Sequence, residues 1–343
     1  MTYSQANLAW LFLPLLANPQ PLVRQQACLI MLGLYGDRAM TYLRRLIDDA
    51  DPQVREQARL ALLSVAELTG ESIKLQPFRG IYIECMGRLR VYIDSHEMRA
   101  QDWVQADGGR AGWQQVQGVL AYLSHCGRRG ASREALGAAV WGTPPSSSSL
   151  ARTLNALRQS LGAHAGGSEL IERALVLERD FCMLNPEAYY TDAQLFERTY
   201  TLAAQHEHDV GLDPAVPLYQ HAVRLYTGVY MAEVPRGSGW FRSQRDRLAG
   251  DFVLAIERLA EHAFAQRRYE QCVELCLLAL DADATADDIV VWLLRAYACV
   301  GRLAEREQIY RRYLHAAGLS ADDPAAQQDA VMQEYERQRV AGK

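Results

Sequence analysis

The 343-residue chain has almost no lysine: Lys74 and Lys343 are the two, and arginine supplies the rest of the 36 basic side chains. Genome composition is the simple explanation for that bias. No apolar run approaches the roughly 20 residues that a membrane-spanning helix needs. The longest, Leu8 to Ala17, is broken by Pro14, and no basic stretch leads into it, so neither a membrane anchor nor a signal peptide is expected. The seven cysteines are odd in number and scattered, which excludes a disulfide framework and points to a reducing compartment. A cytoplasmic chain is the expectation. No charge sign dominates: 36 basic against 41 acidic side chains leave a net −5, which excludes a non-specific polyanion binder. Enzyme signatures are missing too. There is no phosphate-binding loop, GxSxG, HExxH or GxGxxG, and Gly108-Gly109 with Gly112 has no strand-to-helix context. The expectation is a non-enzyme with no cofactor and no metal site.

Apolar residues make up 49% of the chain, enough for packed cores, and its length suits two or three domains. Repetition is the first positive signal. Pro21-Leu22-Val23-Arg24-Gln25-Gln26-Ala27-Cys28-Leu29 returns 31 residues later as Pro52-Gln53-Val54-Arg55-Glu56-Gln57-Ala58-Arg59-Leu60. Asp51 can accept N-cap hydrogen bonds, and Pro52 suits the first helical position. Helices are expected to run to Leu32-Gly33 and Leu63-Ser64, with Ala39–Ile47 as the partner helix between them. Residues 1–76 thus resemble a pair of HEAT-type repeats, whose recurring start is Asp-Pro-x-Val-Arg. Two repeats leave apolar surface uncovered, so this part is expected to pack on the next domain or on a protein partner.

A polar connector with Pro77 and Gly80 follows, and the period then changes from 3.6 to 2. Ile81–Cys85 and Leu89–Ile93 read as strands. A helical stripe runs through Val116, Val119, Leu120 and Leu123. Ser132 can cap a short helix to Trp141, and Gly142 to Ser149 form a loop. The next helix, 148–161, carries Leu150, Leu154, Leu157 and Leu161 on one edge. Glu169–Ala174 and Leu177–Leu184 are expected to pair as a hairpin. This is the layout of a winged helix-turn-helix over residues 80–187, in which the third helix enters the major groove. Opposite the leucines stand Arg152, Thr153, Asn155, Ala156 and Gln159, with Arg158 beside them. Arginine can grip guanine O6/N7, and Asn or Gln can grip adenine N6/N7. Ser148, Ser149 and the helix N-terminus offer donors to phosphate. Arg128, Arg129 and Arg173 complete the candidate DNA contacts. Residues 79–190 hold 12 basic and 11 acidic groups, against 17 and 23 in residues 191–343.

From Thr191-x-x-Gln194, a capping box, the remainder, 190–343, is expected to be helical: about 192–205, 214–227, 240–265, 268–281, 286–299, 303–317 and 324–339. Arg268…Leu280 aligns with Arg302…Leu314 at an offset of 34, the tetratricopeptide (TPR) period, and Thr285 with Asp288 would cap the helix between them. Cys272, Cys276 and Cys299 read as small buried hydrophobes, His206-Glu207-His208 as a surface loop, and Trp141 and Trp240 as core anchors.

Three stretches carry a wider resemblance: Ile81-Tyr82-Ile83-Glu84 through Val91; Ser132-Arg133-Glu134-Ala135-Leu136 through Trp141-Gly142; and Ser149 through Leu157-Arg158-Gln159-Ser160-Leu161-Gly162. They resemble the winged helix of SARP-type bacterial activators. Tyr226-Thr227-Gly228, Trp240, Gln244–Leu248 and Gly301–Tyr310 resemble the helical bacterial transcriptional activator domain that follows it in that family. The resemblance covers about 80–340. It implies a cytoplasmic transcription regulator that binds double-stranded promoter DNA through helix 148–161 and contacts RNA polymerase. The HEAT-like and TPR-like parts would serve protein docking or formation of a homodimer. The expected fold class is mainly α with a small β component: HEAT-like hairpins, a winged helix-turn-helix and a TPR-like superhelix. A second reading stays open. The wing carries Glu169, Glu172, Glu178 and Asp180 against Arg173 and Arg179, so the chain could be a non-enzymatic adaptor whose winged helix binds protein.

Overall fold

The computed structural model describes residues 13–35, 40–47, 49–69, 80–93, 96–104, 110–142, 146–234, 239–320 and 329–341. The connector at 71–79, the Gly108-Gly109 break, the Thr143–Pro145 part of the loop and the expected start of the last helix lie outside them. The chain folds as two compact units. One holds the residues up to Leu195 together with Leu225–Arg245; the other holds Phe196–Arg224 and the residues from Asp246 onward.

The N-terminal repeats form α1 (Pro21–Tyr35), α2 (Met40–Leu46) and α3 (Pro52–Thr69). The 31-residue offset holds down to single hydrogen bonds. Arg24 Nη1 donates to the carbonyls of Asn18 and Pro19, at 2.7 and 3.1 Å. Arg55 Nη1 donates to those of Asp49 and Ala50, at 2.7 and 3.0 Å. The Asn18 and Asp49 side chains each accept a backbone N–H two residues on, at 2.9 Å. Asp51 starts α3 by accepting from Gln53 and Val54. Arg24 also forms a two-pronged pair with Asp49, at 2.8 and 2.7 Å, which ties one repeat to the next. Burial pushes the Asp49 carboxyl up, but the Arg24 hydrogen bonds, the Asp51 N–H and the charges of Arg24 and Arg55 together outweigh it and hold the group below its usual range. Leu22, Leu29 and Leu60 are exposed, as expected of a short repeat pair.

The middle region builds two sheets. Strands β1 (Ile81–Glu84), β2 (Arg90–Ile93) and β3 (His96–Glu97) form an antiparallel series, and β7 (Tyr189–Thr191) pairs parallel to β1. Along β1, Ile81 and Ile83 are buried and the alternate residues are partly open, the period-2 pattern read from the sequence. Helix α4 (Arg110–Cys126) leads to β4 (Ala131–Ser132), α5 (Arg133–Trp141) and α6 (Ser147–Ala163). Strands β5 (Leu175–Leu177) and β6 (Phe181–Leu184) form a hairpin, with β4 added to the outer side of β6. The hairpin departs from expectation. Residues Glu169–Glu172 are a helical turn rather than its first strand, because the Ser168 carbonyl accepts from Ile171 and Glu172 and closes the backbone locally.

At the end of β7, Thr191 and Gln194 form the expected capping box: the Thr191 hydroxyl accepts from Gln194 N–H, and the Gln194 side chain accepts from Thr191 N–H. Between them, Asp192 is 4% exposed. Its carboxylate accepts from the Cys85, Met86 and Ala193 backbone N–H groups, at 2.8, 3.0 and 2.8 Å, and from the Cys85 thiol. Helix α7 (Asp192–Val210) starts there and is followed by α8 (Leu212–Leu225), α9 (Arg242–Ala265), α10 (Tyr269–Ala282), α11 (Asp287–Val300), α12 (Leu303–Ala317) and α13 (Ala330–Ala341). The 34-residue period is again literal. Arg268 and Arg302, the N-caps of α10 and α12, share backbone angles of φ −88, ψ 62 and φ −85, ψ 67.

Several expectations need correcting. His206–His208 lie inside α7, and His206 is buried, because the apolar spacing of that helix continues for one more turn. Thr285 and Asp288 do not cap α11. Its N-cap is Ala286, and the Thr285 hydroxyl donates to Asp283 instead. Cys272 and Cys276 are fully buried as expected, but Cys299 is exposed. Among the described residues, no helix is long and apolar enough to cross a membrane.

Arg24→Ala removes a pair whose side chains are 14% and 8% exposed and leaves the Asp49 carboxylate without its cation. A loss of about 3 kcal/mol is expected in urea unfolding followed by helix circular dichroism. Arg59→Ala, which breaks the exposed Arg59–Glu56 pair, should cost under about 0.5 kcal/mol. Asp49 is depressed, so the pair stabilises fully above the ordinary carboxylate range and is lost as pH falls through the lowered value. Asp192→Ala strands three backbone donors and should cost about 3 kcal/mol or more by the same measurement.

Candidate nucleic-acid interface

Helix α6 is started by Ser146, whose hydroxyl accepts from Ser149 N–H at 3.2 Å and lies 3.1 Å from that of Ser148. Leu150, Leu154, Leu157 and Leu161 are all at most 5% exposed, so the leucine edge is the buried one. At the other end, Ser160 Oγ accepts from Val104 N–H and donates to the Ala156 carbonyl, both at 2.8 Å. The helix is therefore fixed along its length and at its C-terminal end.

The face it leaves open is a stripe. Ser148, Arg152, Asn155, Arg158 and Gln159 are exposed, and Ser149 is half-buried. Thr153 is the correction. It is fully buried, and its hydroxyl donates to the Ser149 carbonyl at 3.1 Å, so it cannot reach a base. Ala156 is buried as well. Both stand beside leucines on the helical wheel. The buried face includes 153, 156 and 160 as well as the leucines, wider than a one-residue edge, as packing against a core requires.

The flanking cations differ among themselves. Arg128 and Arg129 lie exposed on a short turn after α4. Arg173 is exposed but pairs with Glu169 at 2.6 Å. At the wing tip, Glu178, Arg179 and Asp180 are all exposed, so the tip carries a net negative charge. The wing's geometry depends on Gly130, at φ +57. A Cβ there would overlap the Phe181 ring and sit 2.8 Å from the Cys182 carbonyl oxygen.

Two features of this unit left no mark in the sequence reading. Trp141 and Trp240, read as core anchors, are only half-buried. With Trp113, Val140 and Glu233 they border a groove of about 830 Å³. His96, Asp102 and His164 also come together, although they are far apart in sequence. No spacing pattern could have revealed that cluster.

Residues 191–334 match the family model described as the bacterial transcriptional activator domain. That match begins at the end of β7, directly after the helices and hairpin described above. Among solved structures, Mycobacterium tuberculosis EmbR in complex with a low affinity phosphopeptide is similar, with a TM-score of 0.58 and 20% identity. The likeness covers 76% of this chain and 65% of that one, and at this identity it is a likeness of fold. A comparison with curated proteins gave no match.

Gly130→Ala should destabilise the wing by at least about 2 kcal/mol, combining left-handed strain with the overlap at Phe181. Hydrogen exchange at the β4–β6 pairing should show it as lost protection there, with α10–α12 unchanged.

Proposed function

We propose that the chain is a sequence-selective DNA-binding transcription regulator of SARP type, with α6 lying in the major groove. The observation that carries this reading is the outward stripe Arg152, Asn155, Arg158 and Gln159 on a helix whose other face is locked into the core. Those four side chains supply the donors and acceptors that distinguish base pairs in that groove. The N-terminus of α6, with Ser148 and Ser149, and the turn with Arg128 and Arg129 would hold phosphates. Residues 79–190 are close to neutral, 12 basic against 11 acidic groups, so few phosphates are neutralised. Affinity then rests on base contacts and on pairing of copies at repeated half-sites, and it should fall only gently with salt. The activator domain and the N-terminal repeats would supply protein docking, including RNA polymerase and a second copy of the chain.

One observation favours a second reading, an adaptor that uses its winged helix on protein. The wing tip is acidic, and Arg173 is engaged by Glu169. Selection of bound duplexes from a random library by the purified chain separates the two, because an adaptor enriches no sequence. On a selected duplex, Arg152→Ala and Asn155→Ala should each weaken binding by about 1–3 kcal/mol and relax selectivity at one base pair. Arg128→Ala should weaken all sequences alike and make the salt slope shallower by about 1. Glu178→Gln with Asp180→Asn should tighten binding if the wing approaches the duplex. Unchanged gel shifts in the Arg152 and Asn155 variants would remove α6 from the interface.

A further inference from the structure

The His96–Asp102–His164 cluster lies away from the outward stripe of α6, at the helix's C-terminal end. His96 is on edge strand β3, Asp102 closes the short helical turn Ala100–Asp102, and His164 is the C-cap residue of α6. The two imidazole rings stack, with centroids 4.5 Å apart and planes 14° from parallel. Both Nε2 atoms face one carboxylate. His96 Nε2 lies 3.2 Å from Asp102 Oδ2, and His164 Nε2 lies 3.9 Å from Asp102 Oδ1. One ligand atom from each residue can be chosen so that all three lie within 4.8 Å of one another.

Two neutral imidazoles and a carboxylate form a donor set suited to borderline divalent ions, with zinc foremost. A zinc ion bound at 2.0–2.2 Å places its ligand atoms about 3.3 Å apart. The present spacing, within 4.8 Å, is within about 1.5 Å of that, and the half-exposed His96 and partly exposed His164 imidazoles can cover the difference by side-chain rotation. The carboxylate is already oriented, because Asp102 Oδ2 accepts from Arg99 N–H at 2.8 Å. Its backbone is held as well. Trp103 beside it is buried, and Val104 N–H is bonded to Ser160 on α6. Asp102 and His164 therefore already face each other across a fixed joint before any ion arrives.

We propose that His96, Asp102 and His164 form a binding site for one divalent transition ion of the zinc class, with the remaining coordination positions open to water. The ion would bridge the edge of the first sheet to the end of α6.

The test uses the full chain, freed of metal with a chelator. Isothermal titration with Zn2+ should show one equivalent bound. Co2+ should give the visible ligand-field bands of a low-coordinate site without the thiolate charge-transfer absorption that cysteine ligation would add. His96→Gln and His164→Gln should each weaken Zn2+ binding at least tenfold, and Asp102→Asn likewise. His96 is about half exposed, so His96→Gln should fold normally, which unchanged thermal unfolding in chelator verifies. Zn2+ should raise the melting temperature of the parent chain and leave the His96→Gln, His164→Gln double variant unmoved. Absence of stoichiometric Zn2+ binding overturns the proposal, as does undiminished binding in the double variant. The measurement contains no DNA, so its outcome is independent of whether α6 reads bases.

Discussion

A single buried carboxylate joins the two sequence regions on which the architecture depends. Asp192 is 4% exposed, and a lone carboxylate at that depth would be costly. It is tolerated because the end of β1 turns its Cys85 and Met86 N–H groups onto it while the first turn of α7 adds that of Ala193. The same groups would otherwise be orphans, since β1 ends and α7 begins there. Burial nevertheless pushes the Asp192 carboxyl above its usual range, with the hydrogen bonds offsetting only part of the cost. A raised carboxyl stabilises the fold most when protonated, and that contribution declines as pH rises through the raised value. Asp192 therefore specifies where β7 stops and α7 starts, and its loss is costly because the three backbone donors it serves are left without a partner. The parallel β1–β7 pairing ends at Thr191, where α7 begins.

Helix α6 is well fixed although its outward face carries little charge. Its position is set by the leucines and by Ser160, all of them buried. The stripe opposite holds two arginines, one asparagine and one glutamine among serine and alanine. The exposed wing tip, Glu178 to Asp180, adds no net positive charge to the same unit, so its long-range pull on a polyanion is small.

Much of the fold could be read from the sequence because its signals are local or periodic. The offsets of 31 and 34 survive as matching hydrogen bonds at Arg24 and Arg55 and as matching N-cap angles at Arg268 and Arg302. The Thr191–Gln194 box and the Ser132 cap formed as expected. The misreadings arose where a local pattern was ambiguous. Glu169–Ala174 alternates like a strand, yet a run that short satisfies a helical turn equally well. Thr153 is polar, yet its hydroxyl finds a partner on its own helix, which makes burial inexpensive. The His96–Asp102–His164 cluster could not be read at all. It exists only because Val104 and Ser160 bring two distant segments together, and neither residue type announces that contact.

The residues that carry the activator-domain resemblance at Tyr226-Thr227-Gly228 and Gln244-Arg245 have a structural role that sequence order hides. They belong to the same compact unit as the winged helix. The Thr227 hydroxyl donates to the Met86 carbonyl at 2.8 Å, Gly87 N–H donates to the Val229 carbonyl at 3.0 Å, and Met231 N–H donates to that of Cys85 at 2.7 Å. A Cβ on Gly228 would lie 3.0 Å from Gly87 Cα, so the approach of two glycines sets the depth of the contact. Arg245 then holds the returning chain by donating to the Tyr230 and Met231 carbonyls, both at 2.8 Å, while it lies over the Phe241 ring. Cys85 and Met86 thus face Asp192 with their N–H groups and the 227–231 segment with their carbonyls. The turn after β1 is completed by two pieces of the activator domain, one at its start and one well inside it. A winged helix built this way is not a bead on a string. The end of its first strand is hydrogen-bonded to both pieces, to Asp192 on one side and to Thr227 to Met231 on the other.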